Sequence, residues 1–349
     1  MLTLNKAKLE TKLFIKFAII AVAGLISVSV LIGLFSSIKD GLFPTPLPPP
    51  QASFGKLKEI PLPNNLENKK LNYSIDTISG FLPKNFPRLI KVYKINSSKP
   101  DLLAFKKAQE KVAQIGFTSK GTQISDNVYQ WVDKLSPQRK ITINIFSSDF
   151  TLFSPFLLDA NTQTLTDSAD VSNAIEKARS FLSSVAFFPA DIDSDKTKAT
   201  FHIITNGTLL PTTTVSKTQI VKVDFFQKDI DKIPIVYEKG STSTMNALVG
   251  KEESQLKVVE AHFFYKNISQ ESSTYTIKTA DQAFSDLKQG KGNIASLTQN
   301  TTNVSIKNAF LGYFIGEGSQ DFLMPVVVFQ GDNDFLAYVS AVRDEWINN

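Results

Sequence analysis

The chain has 349 residues, 42% of them hydrophobic and 20% charged, which gives room for about two folded domains and excludes a disordered chain. Net charge is +5, of which +3 comes from Lys6, Lys8, Lys12 and Lys16 set against Glu10, so the basic balance is local and is not a nucleic-acid footprint. Cysteine is absent, which excludes disulfides, thiolate metal sites and a cysteine nucleophile.

Residues 1–16 read as a basic cytoplasmic tail. The run 17–38 that follows is apolar and uncharged, with Phe17, Ile19, Ile20, Val22, Leu25, Ile26, Val28, Val30, Leu31, Ile32, Leu34 and Phe35 as its large side chains. At 1.5 Å per residue it is long enough to cross a hydrocarbon core about 30 Å thick, and the four lysines before it supply the positive-inside signal. The expectation is an uncleaved signal-anchor: a single-pass protein of the cell membrane, N-terminus cytoplasmic, body extracytoplasmic. A cleaved signal ending near Ala21-Val22-Ala23 and a buried core helix are the alternatives. The lack of cysteine in an exported body of this size points to a bacterial source.

Residues 39–68 read as a linker, with Pro44, Pro46, Pro48, Pro49 and Pro50 stiffening it into a spacer. From residue 69 the pattern is sheet-rich, in keeping with 27 phenylalanines. A first α+β domain over 69–160 has a strand at 88–95 and a helix over 100–115, with Leu102, Phe105, Ala108, Val112 and Ile115 on one face and Gly116 as its stop. Strands at 127–134 and 140–147 follow, with 151–158 as a further candidate.

A second domain over 161–349 opens with a helix whose face is Val171, Ala174, Ile175, Ala178, Leu182 and Val185, ended by Pro189. Strands are expected at 199–205, 219–227, 234–238 and 256–266. Thr279 and Gln282 then form a capping-box pattern ahead of Ala283, Phe284 and Leu287. Strands over 304–315, 323–329 and 335–342 close the chain, with a turn at Gly331-Asp332. The fold class expected is α+β: a membrane helix plus antiparallel sheets, each packed by a helix, in repeated helix-then-strands units. An internal echo supports the repeat: a strand, a polar turn, then proline opening a second strand occurs at 221–237 and again at 310–329.

The C-terminal segments 275–279, 283–290, 311–314, 323–329 and 335–342, with Gly290, Leu311, Gly312, Tyr313, Pro325, Phe329 and Tyr338 as their marked positions, resemble the ending of YycH/YycI-type extracytoplasmic regulators and of PepSY-like modules. The resemblance is best over 275–342, weaker over 167–265, and does not cover 56–154. It implies a non-catalytic body that contacts a membrane histidine kinase or another envelope protein, and it transfers no partner-binding residue.

No motif for chemistry stands out. His202 and His262 lie in separate strands, without the ligand spacing of a metal site. Asp191, Asp193 and Asp195 imitate the start of a calcium loop, but Lys196 and His202 stand where it needs glycine and glutamate, so a solvated acidic loop is expected. Gly316-Glu317-Gly318-Ser319 is a turn, and no nucleophile elbow or phosphate loop occurs. Glu238, Glu260 and Glu317 are strand-end carboxylates for a hydrolase reading. Asn-x-Ser/Thr at Asn72, Asn96, Asn206, Asn267, Asn300 and Asn303 reads as chance. No catalytic residue, cofactor or metal is expected. The leading expectation is a membrane-anchored body that binds and modulates an envelope or membrane partner such as a sensor kinase. A cell-wall or ligand-binding surface module, using Trp131 and Tyr129, is the alternative, and an envelope hydrolase comes third.

Overall fold

The structure, a computed structural model, describes residues 24, 28, 29, 49–62, 71–158, 163–165, 168–298 and 301–348. β1 (Leu57–Lys58), β2 (Asn72–Ile75) and β3 (Leu89–Ile95) precede α1 (Ala104–Gln114). β4 (Thr122–Ser125), β5 (Val128–Val132), β6 (Lys140–Asn144) and β7 (Phe150–Phe153) form a meander. α2 (Ser168–Val185) leads into β8 (Ile192–Thr205), β9 (Thr208–Thr212), β10 (Ile220–Gln227), β11 (Ile235–Tyr237), β12 (Met245–Glu252), β13 (Gln255–Phe263) and β14 (Ile268–Thr276). α3 (Ala280–Lys288) is followed by β15 (Asn293–Ser296), β16 (Asn303–Ile315), β17 (Phe322–Leu323), β18 (Pro325–Gly331), β19 (Leu336–Ser340) and β20 (Ile347–Asn348).

A nine-stranded antiparallel sheet runs in the order β4-β5-β6-β7-β13-β12-β10-β8-β9. Its helix-covered face is one core. Ala108 and Val112 of α1 and Ala174, Ala178, Leu182 and Val185 of α2 bury against Trp131, Phe150, Val223, Phe225, Ala247, Val249 and Phe263. Helical spacing on α2 and period-two alternation on the strands put these side chains together. Each large apolar group so buried is worth about 1.5–3 kcal/mol. Lys111 Nζ donates to the carbonyl of Val185 at 3.0 Å, tying α1 to the end of α2. On the opposite face the register aligns Gln130, Thr142, Thr151, His262, Asn246 and Asp224 across six neighbouring strands.

The second sheet has the order β11-β16-β18-β19-β15, with β2 pairing parallel to the start of β16. α3 covers one face through Ala280, Ala283, Phe284 and Leu287, packed on Val327, Phe329, Ala337 and Val339. The alternate residues Val326, Val328 and Tyr338 point the other way, into a core shared with Val92 of β3 and Tyr275 of β14. β3 is the middle strand of a three-stranded sheet, β14-β3-β17, and β1 pairs parallel with β20. Leu57 and Ile60, inside the expected linker, are buried in this core at 0% and 4% exposure. Pro50–Asn349 is one compact unit.

These findings correct expectations of three kinds. First, the fold is not a set of sheets each packed by its own helix. The described residues hold twenty strands and three α-helices, so the chain is mostly sheet. α1 and α2 lie on one sheet, and the three-stranded and two-stranded sheets have no helix of their own. Strand alternation specifies which face is apolar, not which strand lies alongside, so the strands after α1 and those after α2 merged by pairing β7 with β13. The echo fails for the same reason: β16 and β18 are antiparallel neighbours, but β10 and β11 belong to different sheets.

Second, among the described residues no helix is long and apolar enough to cross a membrane. The longest, α2, is amphipathic and carries Glu176, Lys177 and Arg179. Among the described residues no helix therefore carries the expected single-pass, membrane-anchored placement with an extracytoplasmic body, and the structure does not support it. The run 17–38 lies outside the described residues except for Gly24, Val28 and Ser29. Residues 1–16 with Lys6, Lys8, Lys12 and Lys16 also lie outside them.

Third, two local expectations change. Leu102 is fully exposed, because α1 starts at Ala104 and its buried stripe is Ala104, Ala108 and Val112. Asp193 and Asp195 belong to β8 and not to a loop, and Lys196 pairs with Asp193 and Asp229 at 3.9 and 2.5 Å.

Candidate functional site

The site arises where β3 leaves its sheet. At its end Ile95 N–H donates to the carbonyl of Asp321 at 2.9 Å, and Asn96 N–H to that of Asn267 at 2.8 Å. Beyond this point the two neighbouring segments diverge, and the backbone of residues 97–99 makes no hydrogen bond. Pro100 holds residue 99 extended and offers no N–H. The gap is a cleft of about 680 Å³, lined by 95–98, 146–151, 263–267 and 317–321 with Asn127 and Phe187. That volume lies within the range of small-ligand and peptide-side-chain pockets.

The floor is the turn joining β6 to β7. Asn144 Oδ1 accepts from the N–H groups of Phe146 and Ser147 at 3.0 and 3.2 Å, closing an Asx-type turn. Ser147 Oγ donates to Asp149 Oδ2 at 2.8 Å. Ser148 at the tip has φ 62°, a left-handed conformation that a serine adopts at a cost.

One wall is the loop between β16 and β17. Lys266, 7% exposed, reaches under it, and its Nζ donates to the carbonyls of Gly318 at 2.9 Å and Glu317 at 3.4 Å. Burial holds this ammonium below the ordinary lysine range, against the pull of Asp149, Glu238 and Glu317. Burial likewise raises the Asp149 carboxyl above the usual carboxylate range, with Lys266 and Ser147 opposing. Glu317 pairs with Lys239 at 2.6 Å, and its N–H donates to Glu238 Oε2 at 3.0 Å. Asp321 pairs with Lys58 at 2.6 Å.

Lys266, Glu317 and Asp321 are thus committed to the protein, Asp149 is so through Oδ2 alone while its Oδ1 is buried without a partner among the described residues, and many neutral groups are uncommitted. The side chains of Ser97, Ser98, Asn127, Ser148, Thr151 and Ser319 make no hydrogen bond among the described residues. Phe187, at the rim, is 80% exposed. Such a surface offers neutral donors and acceptors beside Phe187 and the half-buried rings of Phe146, Phe264 and Tyr265, the chemistry of holding a ligand in place.

The residues singled out in the sequence lie elsewhere. Leu311, Gly312 and Tyr313 of β16 stand opposite Val327, Val326 and Pro325 of β18, and Tyr338 stands opposite Val328. Tyr313, Phe329 and Tyr338 are 0% exposed. The hydroxyl of Tyr313 donates to the carbonyl of Lys91 at 2.8 Å, and that of Tyr338 to the carbonyl of Tyr237 at 2.9 Å. A Cβ on Gly312 would lie 2.9 Å from Val236 Cγ1, so glycine lets β11 approach. Gly290, φ 79°, ends α3 apart from this group. These positions build the second sheet, and none of them lines the cleft.

His262 Nε2 lies 3.2 Å from Glu260 Oε1, and His202 stands opposite Ile220. Neither lines the cleft, and no group of three His, Asp or Glu able to hold a metal occurs among the described residues. Trp131 is 0% exposed, its Nε1 donating to Gln109 Oε1 at 2.9 Å, so it offers no platform to a wall polymer. The cleft residues escaped notice in the sequence because serines near a Lys-Pro step look like any loop. The signal present was Pro100, which stops a strand from pairing onward.

No family model matches the chain, and no curated protein matches it. The resemblance to YycH/YycI-type regulators and PepSY-like modules therefore has no family match behind it. One solved structure similar to the chain is the crystal structure of an uncharacterized protein from Eubacterium rectale ATCC 33656. It covers 80% of this chain and 85% of that one, at 15% sequence identity and a TM-score of 0.38. Similarity at that level identifies neither a fold family nor a function.

Proposed function

We propose that Pro50–Asn349 is a binding module that takes a segment of a partner protein into the cleft and modulates the partner by doing so. The observation that carries this reading is the set of six uncommitted hydroxyl and amide side chains around one cavity, contributed by segments distant in the sequence. Groups that stabilise a fold are hydrogen-bonded within it. Groups left open around a concavity are available to a ligand.

The test is a screen of the purified full-length protein against a random peptide library and against wall polysaccharide. Enriched peptides are expected to compete with one another. They should bind the double variant Ser97→Ala/Ser319→Ala about tenfold more weakly or worse, as for loss of one or two net hydrogen bonds, with the melting temperature unchanged. Binding of wall material alone, or of peptides indifferent to the double variant, contradicts the proposal.

A further inference from the structure

The proposed binding role leaves open what kind of segment is held. Two observations narrow it. The first is the backbone of 97–99, which leaves its sheet with both neighbouring lanes vacated and its N–H and C=O groups unpaired and exposed. An exposed row of unpaired backbone groups is a template for an added strand. Ser97 and Ser98 have no bulk to block such an approach, and Pro100 keeps the row from curling into α1. Neither a sugar nor a helix presents backbone amides at the strand repeat that would match it.

The second is the state of the charges. Asp149 Oδ2 accepts from Ser147 Oγ, its Oδ1 has no hydrogen-bond partner among the described residues but is buried away from the surface, and Lys266 Nζ is held by two carbonyls. Glu317 and Asp321 each pair with a lysine at 2.6 Å. A charged ligand side chain entering the cleft would be desolvated without a free counter-charge in its lining, since Lys99, unpaired among the described residues, stands in the row but outside that lining, and this is unfavourable. An uncharged one finds Asn127, Ser148, Thr151 and Ser319 open to it.

We infer that the occupant is an extended, uncharged polypeptide segment that pairs as an added strand with the backbone of residues 97–99, its side chains read by the neutral groups of the cleft and by Phe187. This inference rests on the binding role proposed above and adds conformation and charge to it. Exposed strand ends are common in proteins. Here the row opens into a cavity whose polar side chains are equally unspent, and that coincidence separates it from the other edges. The edge strand β9, in contrast, carries Pro211 and opens onto no such cavity.

The experiment uses the full-length protein and a peptide enriched from the random library, synthesised with and without N-methylation at alternate backbone positions. Expected are enriched sequences poor in Asp, Glu, Lys and Arg, and an affinity that changes less than about twofold between 50 and 500 mM NaCl, since no exposed ion pair is being screened. N-methylation in one register should weaken binding about tenfold per lost hydrogen bond, and in the other register hardly at all. Ser98→Pro in the protein, which removes one N–H from the row, should weaken the unmodified peptide similarly. The methylated peptides settle the point even if that variant folds poorly. Charged, salt-sensitive binders, or binders indifferent to N-methylation, overturn the inference while leaving the binding role in place. No peptide enrichment at all overturns both.

Discussion

At the scale of single residues, the cleft is built from side chains held in costly states. Ser148 pays for a left-handed backbone that glycine would adopt freely. Ser148→Gly is expected to raise the unfolding free energy by roughly 1 kcal/mol in a denaturant titration, while weakening capture of a library-selected peptide through loss of its hydroxyl. Lys266 is a buried cation satisfied by two loop carbonyls. Lys266→Met keeps the length of the side chain but orphans those acceptors, and should cost about 1–3 kcal/mol of stability, read by the same titration. His202 gives a pH signature. Burial holds its imidazole below the ordinary value of 6.5, with Thr200 opposing and Lys222 adding to the effect. As pH falls through 6.5 the unfolded chain takes up this proton before the folded one does, so stability falls with pH across that window. His202→Leu should flatten the decline in melting temperature between pH 7 and pH 5. Of Ser148, Lys266 and His202, only His202 stood out in the sequence. Spacing could place His202 on a strand, but the burial that lowers its pKa comes from neighbours remote in the chain.

At the scale of elements, legibility followed the locality of the cause. α3 could be read because everything that defines it lies within a dozen residues: the Thr279–Gln282 capping box, the stripe Ala283, Phe284 and Leu287, and Gly290 beyond the end. Thr279 Oγ1 accepts from Gln282 N–H at 3.2 Å, and Gln282 Oε1 accepts from Thr279 N–H at 3.0 Å. Thr279→Ala is expected to cost about 1 kcal/mol, measured as a shift in the denaturation midpoint. β12 could not be read in the same way. It is a central strand buried on both faces from Met245 to Gly250, so its sequence has no alternation to detect. β14, with Gln270, Glu271, Ser272 and Ser273 inside it, looks like a loop and becomes a strand only because β3 lies beside it. The helices on Ala174–Val185 and Ala104–Val112 were visible as stripes, yet nothing in either stripe says that both cover one sheet.

At the scale of the whole molecule, the fold brings segments more than two hundred residues apart to one rim. Ser97 and Ser98 face 264–267 and 317–321 across the cleft, above the turn at 146–149. Long-range pairing creates the site: β14 and β17 flank β3 and then part from it, leaving a gap around which six neutral polar side chains make no hydrogen bond among the described residues. That is why the site was illegible in the sequence, whereas the apolar run 17–38, the most conspicuous local feature, lies outside the described residues apart from three positions. The central claim is that this gap receives an added strand. Hydrogen exchange of the full-length protein, with and without a saturating library-selected peptide, tests it most directly. The account predicts that the amides of residues 97–99, open in the free protein, become protected on binding together with those of 317–321, while the edge strand at 208–212 is unchanged. Unchanged exchange at 97–99 alongside new protection elsewhere would contradict it.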